Sequence, residues 1–386
     1  MSGARLKAVR MARGLTLDEL SEAMGGLVTK QALSKYERDA STPSPRVLVA
    51  LAKALRVKGI ELVTSPSVDV RVLAFRKRSA FPKGAQQAIE NRVALDLERR
   101  AELQELVGQR CVGDVPLHAY AVGTLDAVET AAEDLRDAWK LGRDPVDKMV
   151  DVLEDHCFHV MQVNATEQFD GMSAVAEVDG QPVAVAVVSR EGVCRERQRL
   201  SLGHELGHLV LAPRDHVNEE KAAYRFGAAF LAPRETLLRE VGSRRTDFTS
   251  EELFILKHGF GMSLAALIYR LHDLRVIGDR YYQDWWRYIT KMGWRKEEPE
   301  ETPAEEPRWL RQSTLRAVSE GLISESDAES LLGRTLPMTD APSRRRVMAT
   351  LPKRQRAAFL ERSAKSAADH YESDDAAGLE DDLVEY

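Results

Sequence analysis

The sequence predicts a mainly α protein with a small β-sheet, arranged as an N-terminal five-helix domain, an α+β domain and a helical C-terminal region. Three observations predict this. Apolar residues recur at helical spacing through residues 1–63 and again from about 196 to 273. Met172–Val178 and Val183–Val188 flank Asp179-Gly180-Gln181-Pro182, the pattern of a β-hairpin. At 386 residues the chain is too long for one average domain.

Leu6, Val9 and Arg10 begin a first helix that ends at Gly14. Thr16 caps a second carrying Leu17, Leu20 and Ala23, stopped at Gly25-Gly26, and Thr29 caps a third with Ala32, Leu33 and Tyr36 on its apolar face. Ser41-Thr42-Pro43-Ser44-Pro45 punctuates the entry to a helix with Val47, Leu48, Leu51, Ala52 and Leu55. Residues 64–83 are mixed and contain a basic cluster, Arg76-Lys77-Arg78. A long polar helix over about 85–107 connects domains, and two amphipathic helices follow between 124 and 156. After the hairpin, helices return at about 196–212, 217–230, 233–241, 250–257 and 262–273. An aromatic stretch, Asp284–Arg295, precedes a Glu/Pro linker from Glu297 to Pro307 and helices near 308–319 and 325–332. The resulting division is 1–66 for the five-helix domain, 67–118 for linker and connecting helix, 119–280 for the α+β domain, 281–340 for the helical C-terminal region, and 341–386 for a largely disordered acidic tail.

The net charge of -6 is uneven. Residues 1–66 hold eleven Lys/Arg against six Asp/Glu, whereas Tyr371 to Tyr386 hold seven acidic groups and no basic ones. A basic head is compatible with nucleic acid. No apolar run approaches the ~18 residues that span a bilayer, so no membrane partner is expected. Cys111, Cys157 and Cys194 are scattered and odd in number, which suggests no disulfide framework and a reducing cytoplasm.

The chemistry concentrates at His204-Glu205-Leu206-Gly207-His208. Histidines four apart on a helix project from one face and can ligate one ion at ~2.0–2.1 Å, which makes His204 and His208 candidate zinc ligands. Glu205 lies where a general base would take the proton of the attacking water. Leu200, Leu202, Leu206, Leu209, Val210 and Leu211 make the helix a buried one, and buried imidazoles beside a buried carboxylate need partners. A third ligand is required. On the next helix Ala223, Phe226, Gly227 and Phe230 form the packing face, and Glu220 stays near that face while Glu219 is rotated by about 100° from it. Glu220 is the better ligand and Glu219 the alternative. His156, His159, His216, His258 and His272 read as surface or capped histidines.

The stretch Arg195 to Leu211, followed by Glu220-Lys221 and Phe226 to Pro233, resembles the ImmA/IrrE family of metallopeptidases over roughly residues 124–275. The resemblance implies a zincin-like fold, a zinc cofactor completed by Glu220, and cleavage of a specific protein target such as a repressor. Two positions depart from the family pattern. Gly203 stands where Ala is usual, and Tyr224 stands where Asp, Asn or His is frequent. Tyr224 is therefore a candidate catalytic residue, either orienting a zinc histidine or donating to an oxyanion. Val183–Val188, if it lies at the cleft edge, could hold substrate as an added strand.

Residues 5–57 resemble the Xre/Cro-type helix-turn-helix family through Leu6, Arg10, Gly14-Leu15-Thr16, Leu20, Ala23, Gln31 to Glu37, Pro45, Leu48, Leu51-Ala52 and Leu55. That resemblance implies a double-stranded DNA partner, with Thr29, Lys30, Gln31, Ser34 and Lys35 as readers of an operator-like site. A palindromic site would imply a homodimer. Leu17 replaces a common backbone-contacting Gln, and Asp39 stands where Gly is usual. The combined expectation is a transcriptional regulator with a zinc endopeptidase domain. The alternative is a repressor or antitoxin-like protein whose zinc domain is structural or sensory.

Overall fold

The computed structural model describes residues 2–64, 66–77, 81–109 and 115–336. The expected acidic tail, 341–386, and Cys111 lie outside the described residues. Five helices come first: α1 (Gly3–Ala12), α2 (Leu17–Ala23), α3 (Lys30–Glu37), α4 (Pro45–Leu55) and α5 (Gly59–Val63). Their starts follow from capping. The Thr16 hydroxyl accepts from Glu19 N while Glu19 reaches back to the Thr16 amide, and Thr29 and Ser44 cap α3 and α4. Leu6, Leu20, Leu33, Leu51 and Leu55 close a core of their own. Asp39 adopts φ +55° and accepts the Gly3 amide proton at 2.7 Å. A short polar side chain tolerates that conformation, and here it also ties down the start of α1.

The remaining elements are β1 (Asp69–Lys77), α6 (Lys83–Leu106), β2 (Tyr120–Val122), α7 (Ala127–Ala138), α8 (Met149–Asp155), β3 (Phe158–Val163), β4 (Phe169–Val178), β5 (Gln181–Arg190), α9 (Arg195–Val210), β6 (Leu211–Pro213), α10 (Glu219–Leu231), α11 (Arg234–Val241), α12 (Ser250–Phe260), α13 (Leu264–Asp273), α14 (Asp279–Lys291), α15 (Trp309–Ser319) and α16 (Glu325–Leu332). The fold is mainly α with a small mixed sheet, as the sequence predicts. The expected hairpin is β4–β5, turning at Asp179 (φ +51°) and Gly180 (φ +76°), the positive φ pair that a two-residue turn requires.

Four strands pair in the order β1-β4-β5-β3. β1 and β5 both run antiparallel to β4, while β3 runs parallel to β5. One sheet face packs on Ile89, Val93 and Leu97 of α6, and the other faces the α9 side through Val175, Val185 and Val187. Two expectations are corrected here. Val183–Val188 does not meet the condition for holding substrate as an added strand, because it is an inner strand between β4 and β3. Residues 67–118 are more than a linker, since β1 is a sheet strand and α6 covers that sheet. α6 also contributes Leu95 to the N-terminal core and Glu98 to an ion pair with Arg5.

The Glu297–Pro307 segment, expected as a linker, is stitched to α9 and α12. Glu305 pairs with Arg195 and Arg199 at 3.2 Å each and exchanges two hydrogen bonds with Gln198. The fully buried Lys257 ammonium donates to the carbonyls of Pro299 and Glu300 at 3.0 and 2.9 Å. Buried cations need such partners, which explains why an acidic, proline-rich stretch is ordered. His159 is also corrected: it is buried in β3 with Nε2 3.0 Å from Gln104 Oε1. Cys157 is disulfide-bonded and Cys194 is free, which corrects the expectation of cysteines without a disulfide. Among the described residues no single helix is long and apolar enough to cross a membrane.

Candidate metal centre

Helix α9, which carries His204 and His208, and its neighbour α10 lie close together, and glycines make that approach. A Cβ on Gly207 would sit 2.9 Å from Ala223 Cα, and one on Gly227 would sit 2.8 Å from His204 N. Gly203 faces Gly227, where a Cβ would meet Gly227 Cα at 3.0 Å. Gly203, the departure from the usual Ala, therefore has a packing reason.

That approach brings three donors together. His204, His208 and Glu220 each offer a ligand atom, all within 4.8 Å of one another. The two Nε2 atoms are 2.9 Å apart, with Glu220 Oε1 3.3 Å from His208 and Oε2 3.5 Å from His204. Two imidazoles and one carboxylate are a donor set suited to zinc. Burial, then the charges of Arg76 and His208, pushes the His204 imidazole down to about 2, so it is neutral and its lone pair is free to bind a cation. The residues present fit the ion.

Glu219 takes a different place from the alternative ligand role. Its Oε1 lies 3.1 Å from His208 Nδ1, where it accepts that proton and leaves Nε2 facing Glu220. Tyr224 lies with its ring centroid 3.9 Å from that of His204 at 61°, and its hydroxyl makes no hydrogen bond among the described residues. It packs on the imidazole edge rather than holding it by a polar bond, and it is half-exposed.

Glu205 is 1% exposed. Its Oε1 accepts from Arg76 Nε at 2.5 Å and pairs with Arg76 Nη2, while Oε2 is buried without a partner. Burial raises the Glu205 carboxyl, and the Arg76 charge and hydrogen bond oppose that rise only in part. Gly171 of β4 makes the space, because a Cβ there would meet Glu205 Oε1 at 2.3 Å and Arg76 Nη2 at 2.8 Å. Arg76 and Gly171 escaped the sequence reading as site residues. The signal for Arg76 was the alternation Val70, Val72 before the basic cluster, which marks a strand rather than a charged loop.

Behind α10, Arg270 grips Glu129 of α7 through two hydrogen bonds at 2.5 and 2.8 Å, and Arg225 adds a third at 3.1 Å. This buried network fixes the helix that carries Glu220. In the N-terminal domain Thr29 caps α3; Thr29, Lys30, Gln31 and Lys35 are exposed, and Ser34 is partly exposed. Lys30 also pairs with Asp18 at 3.1 Å, and Thr29 is held as the cap of α3. At the end of α3, Arg10 binds Glu37 at 2.6 and 3.0 Å, fastening α3 to α1.

No curated protein matches the chain. Residues 6–62 match a family model described as helix-turn-helix, and residues 187–272 match a peptidase family model described as the IrrE N-terminal-like domain. The chain therefore joins a helix-turn-helix domain to an IrrE N-terminal-like domain in one polypeptide.

Proposed function

We propose that the chain is a DNA-binding regulator whose metal domain is a zinc endopeptidase acting on a specific protein target, such as a repressor. The observation that supports this reading is the cluster of His204, His208 and Glu220 donors beside the buried carboxylate of Glu205. Zinc, when bound there, supplies a Lewis acid that activates water and polarises a peptide carbonyl. Glu205 accepts the proton of the attacking water at its unpartnered Oε2 and returns it to the leaving amine. Glu219 holds the His208 ring by accepting from Nδ1. Tyr224, whose ring packs on His204, donates to the developing oxyanion of a bound peptide.

In the N-terminal domain, α3 enters the major groove of an operator-like site. Gln31 reads adenine, Lys30 and Lys35 meet guanine or phosphate, and Thr29 and Ser34 are the remaining contact residues. A palindromic site is met by a homodimer.

The test is comparative proteomics of cells carrying wild type or Glu205→Gln, with zinc content measured on both proteins. Stoichiometric zinc in both, with new peptide termini only in wild type, is the expected result. Equal termini from the two proteins would falsify the mechanism. Zinc in both with no wild-type-specific termini supports a second reading, in which the metal is structural or sensory. The contact between Arg76 and Glu205 is the observation that favours that second reading.

A further inference from the structure

The edge of β4 nearest Glu205 is already taken. β1 runs antiparallel along it from Asp69↔Glu177 to Lys77↔Phe169, and Arg76 stands opposite Gly171. Through the space that Gly171 leaves, the guanidinium reaches Glu205 Oε1. An incoming peptide therefore meets two obstacles. A strand has two hydrogen-bonding edges, and β4 gives one to β5 and the other to β1. The general base is also covered on its Oε1 side by a cation.

β1 is the least buried strand of the sheet, although Val70, Val72 and Phe75 pack on the core under α6. None of its nine residues is fully buried, and its register breaks between Val72 and Ala74 and again between Arg76 and Lys77. Such bulges interrupt the ladder and leave a residue unpaired. By contrast, β4 and β5 are buried through most of their length. β1 also begins at Asp69, shortly after α5 ends at Val63, so the N-terminal domain is tethered to it directly.

We infer that β1 is a built-in occupant of the peptide-binding edge. It takes the place of a substrate strand on β4 and caps Glu205 with Arg76, so an extended peptide engages the site only after β1 is displaced. The inference rests on the peptidase reading. The partner that fits this edge is an extended segment pairing antiparallel with β4, its main chain supplying the hydrogen bonds that β1 now makes.

The test uses the full chain in a Cys194→Ser background. Asp69→Cys with Glu177→Cys, residues paired in register, locks β1 to β4 through a reducible bond. Arg76→Ala removes the cap. The probe is a fluorescein-labelled peptide hydroxamate added to zinc-loaded protein. Arg76→Ala is expected to bind it at least tenfold more tightly than wild type, because apparent affinity scales with the open fraction. The oxidised pair is expected not to bind until it is reduced, whereas binding by the Cys194→Ser parent, whose Cys157 disulfide meets the same reductant, is expected not to change. In metal-free protein, the β4 amides should exchange faster in Arg76→Ala than in wild type and slowest in the oxidised pair. Equal binding by wild type, Arg76→Ala and the oxidised pair overturns the inference and leaves the peptidase reading standing. Stoichiometric zinc in Arg76→Ala with faster β4 exchange but no hydroxamate binding sinks the peptidase reading, and the strand inference falls with it.

Discussion

Replacing Gly227 by Ala tests whether helix proximity builds the metal centre. The new Cβ would lie 2.8 Å from His204 N and 2.9 Å from Gly203 C, both backbone atoms that cannot rotate away. Ordinary contact begins near 3.4 Å, so α10 must retreat from α9 by about 0.6 Å. Helix propensity alone would favour Ala by ~1 kcal/mol. Overpacking opposes it by ~1–3 kcal/mol, so the net effect is destabilising by up to about 2 kcal/mol. Glu220 rides on α10 while His204 and His208 ride on α9, and metal sites tolerate ligand displacements of only ~0.2 Å. We expect a melting temperature lowered by a few degrees and zinc affinity reduced at least tenfold, read by thermal unfolding and by competition with a chromophoric chelator. Gly259→Ala is the control, because it adds the same methyl to α12 with nothing within 4 Å. If Gly227→Ala raises the melting temperature as Gly259→Ala should, and zinc affinity is unchanged, the close-approach argument is wrong.

Three further predictions follow from the same geometry. Glu220→Gln should lose most zinc affinity, whereas Glu219→Gln should lose ~10–100-fold, the size of an effect on ligand orientation; equal losses in a zinc titration would contradict their separate roles. Glu129→Gln should destabilise at pH 7 by ~3–5 kcal/mol, because it leaves the buried Arg270 without its carboxylate. Burial raises the Glu129 carboxyl, but the bonds and charges of Arg270 and then Arg225 outweigh it and hold the group below its ordinary range. Its contribution is then full above the unfolded value of ~4.3 and lost as pH falls through the lower folded one. The gap between wild type and variant in denaturant titrations should narrow in acid, and a pH-independent gap would refute the assignment. Against an operator found by selection, Gln31→Ala should relax preference at one base pair by ~1–3 kcal/mol. Lys35→Ala should instead weaken all sequences alike and reduce the salt slope by about one. Identical behaviour of the two variants in fluorescence anisotropy would argue against α3 as the reading helix.

What could be read in advance was whatever depends on short-range spacing. His204, His208 and Glu205 sit on one helix, and Glu220 follows from the packing face of the next, so two helices supply the three donors and the neighbouring carboxylate. The hairpin was equally local, since Asp179-Gly180 sets its own turn. Long-range pairing was not legible. Arg76 is 129 residues from Glu205 along the chain, and its strand competes with a basic cluster for the reader's attention. Nor was the place of β5 in the sheet legible, because its parallel partner β3 shows no strand signal that the sequence reading picked up. The Glu/Pro stretch looked like a linker because composition reports solvation, whereas Arg199 and Lys257 turn those same carboxylates and carbonyls into ligands for buried cations.

That last seam bears on how this protein can be taken apart. The peptidase family match ends at residue 272, yet Arg199 and Lys257 within it find their partners between Glu298 and Glu305. A fragment cut at that boundary would strip Lys257 of its two carbonyl acceptors and Arg199 of its carboxylate, and would loosen the helix that carries both histidines. The portion that carries the chemistry is thus shorter than the portion that can stand alone. Shuffling this domain onto another partner, in evolution or at the bench, must carry the acidic strap along with it.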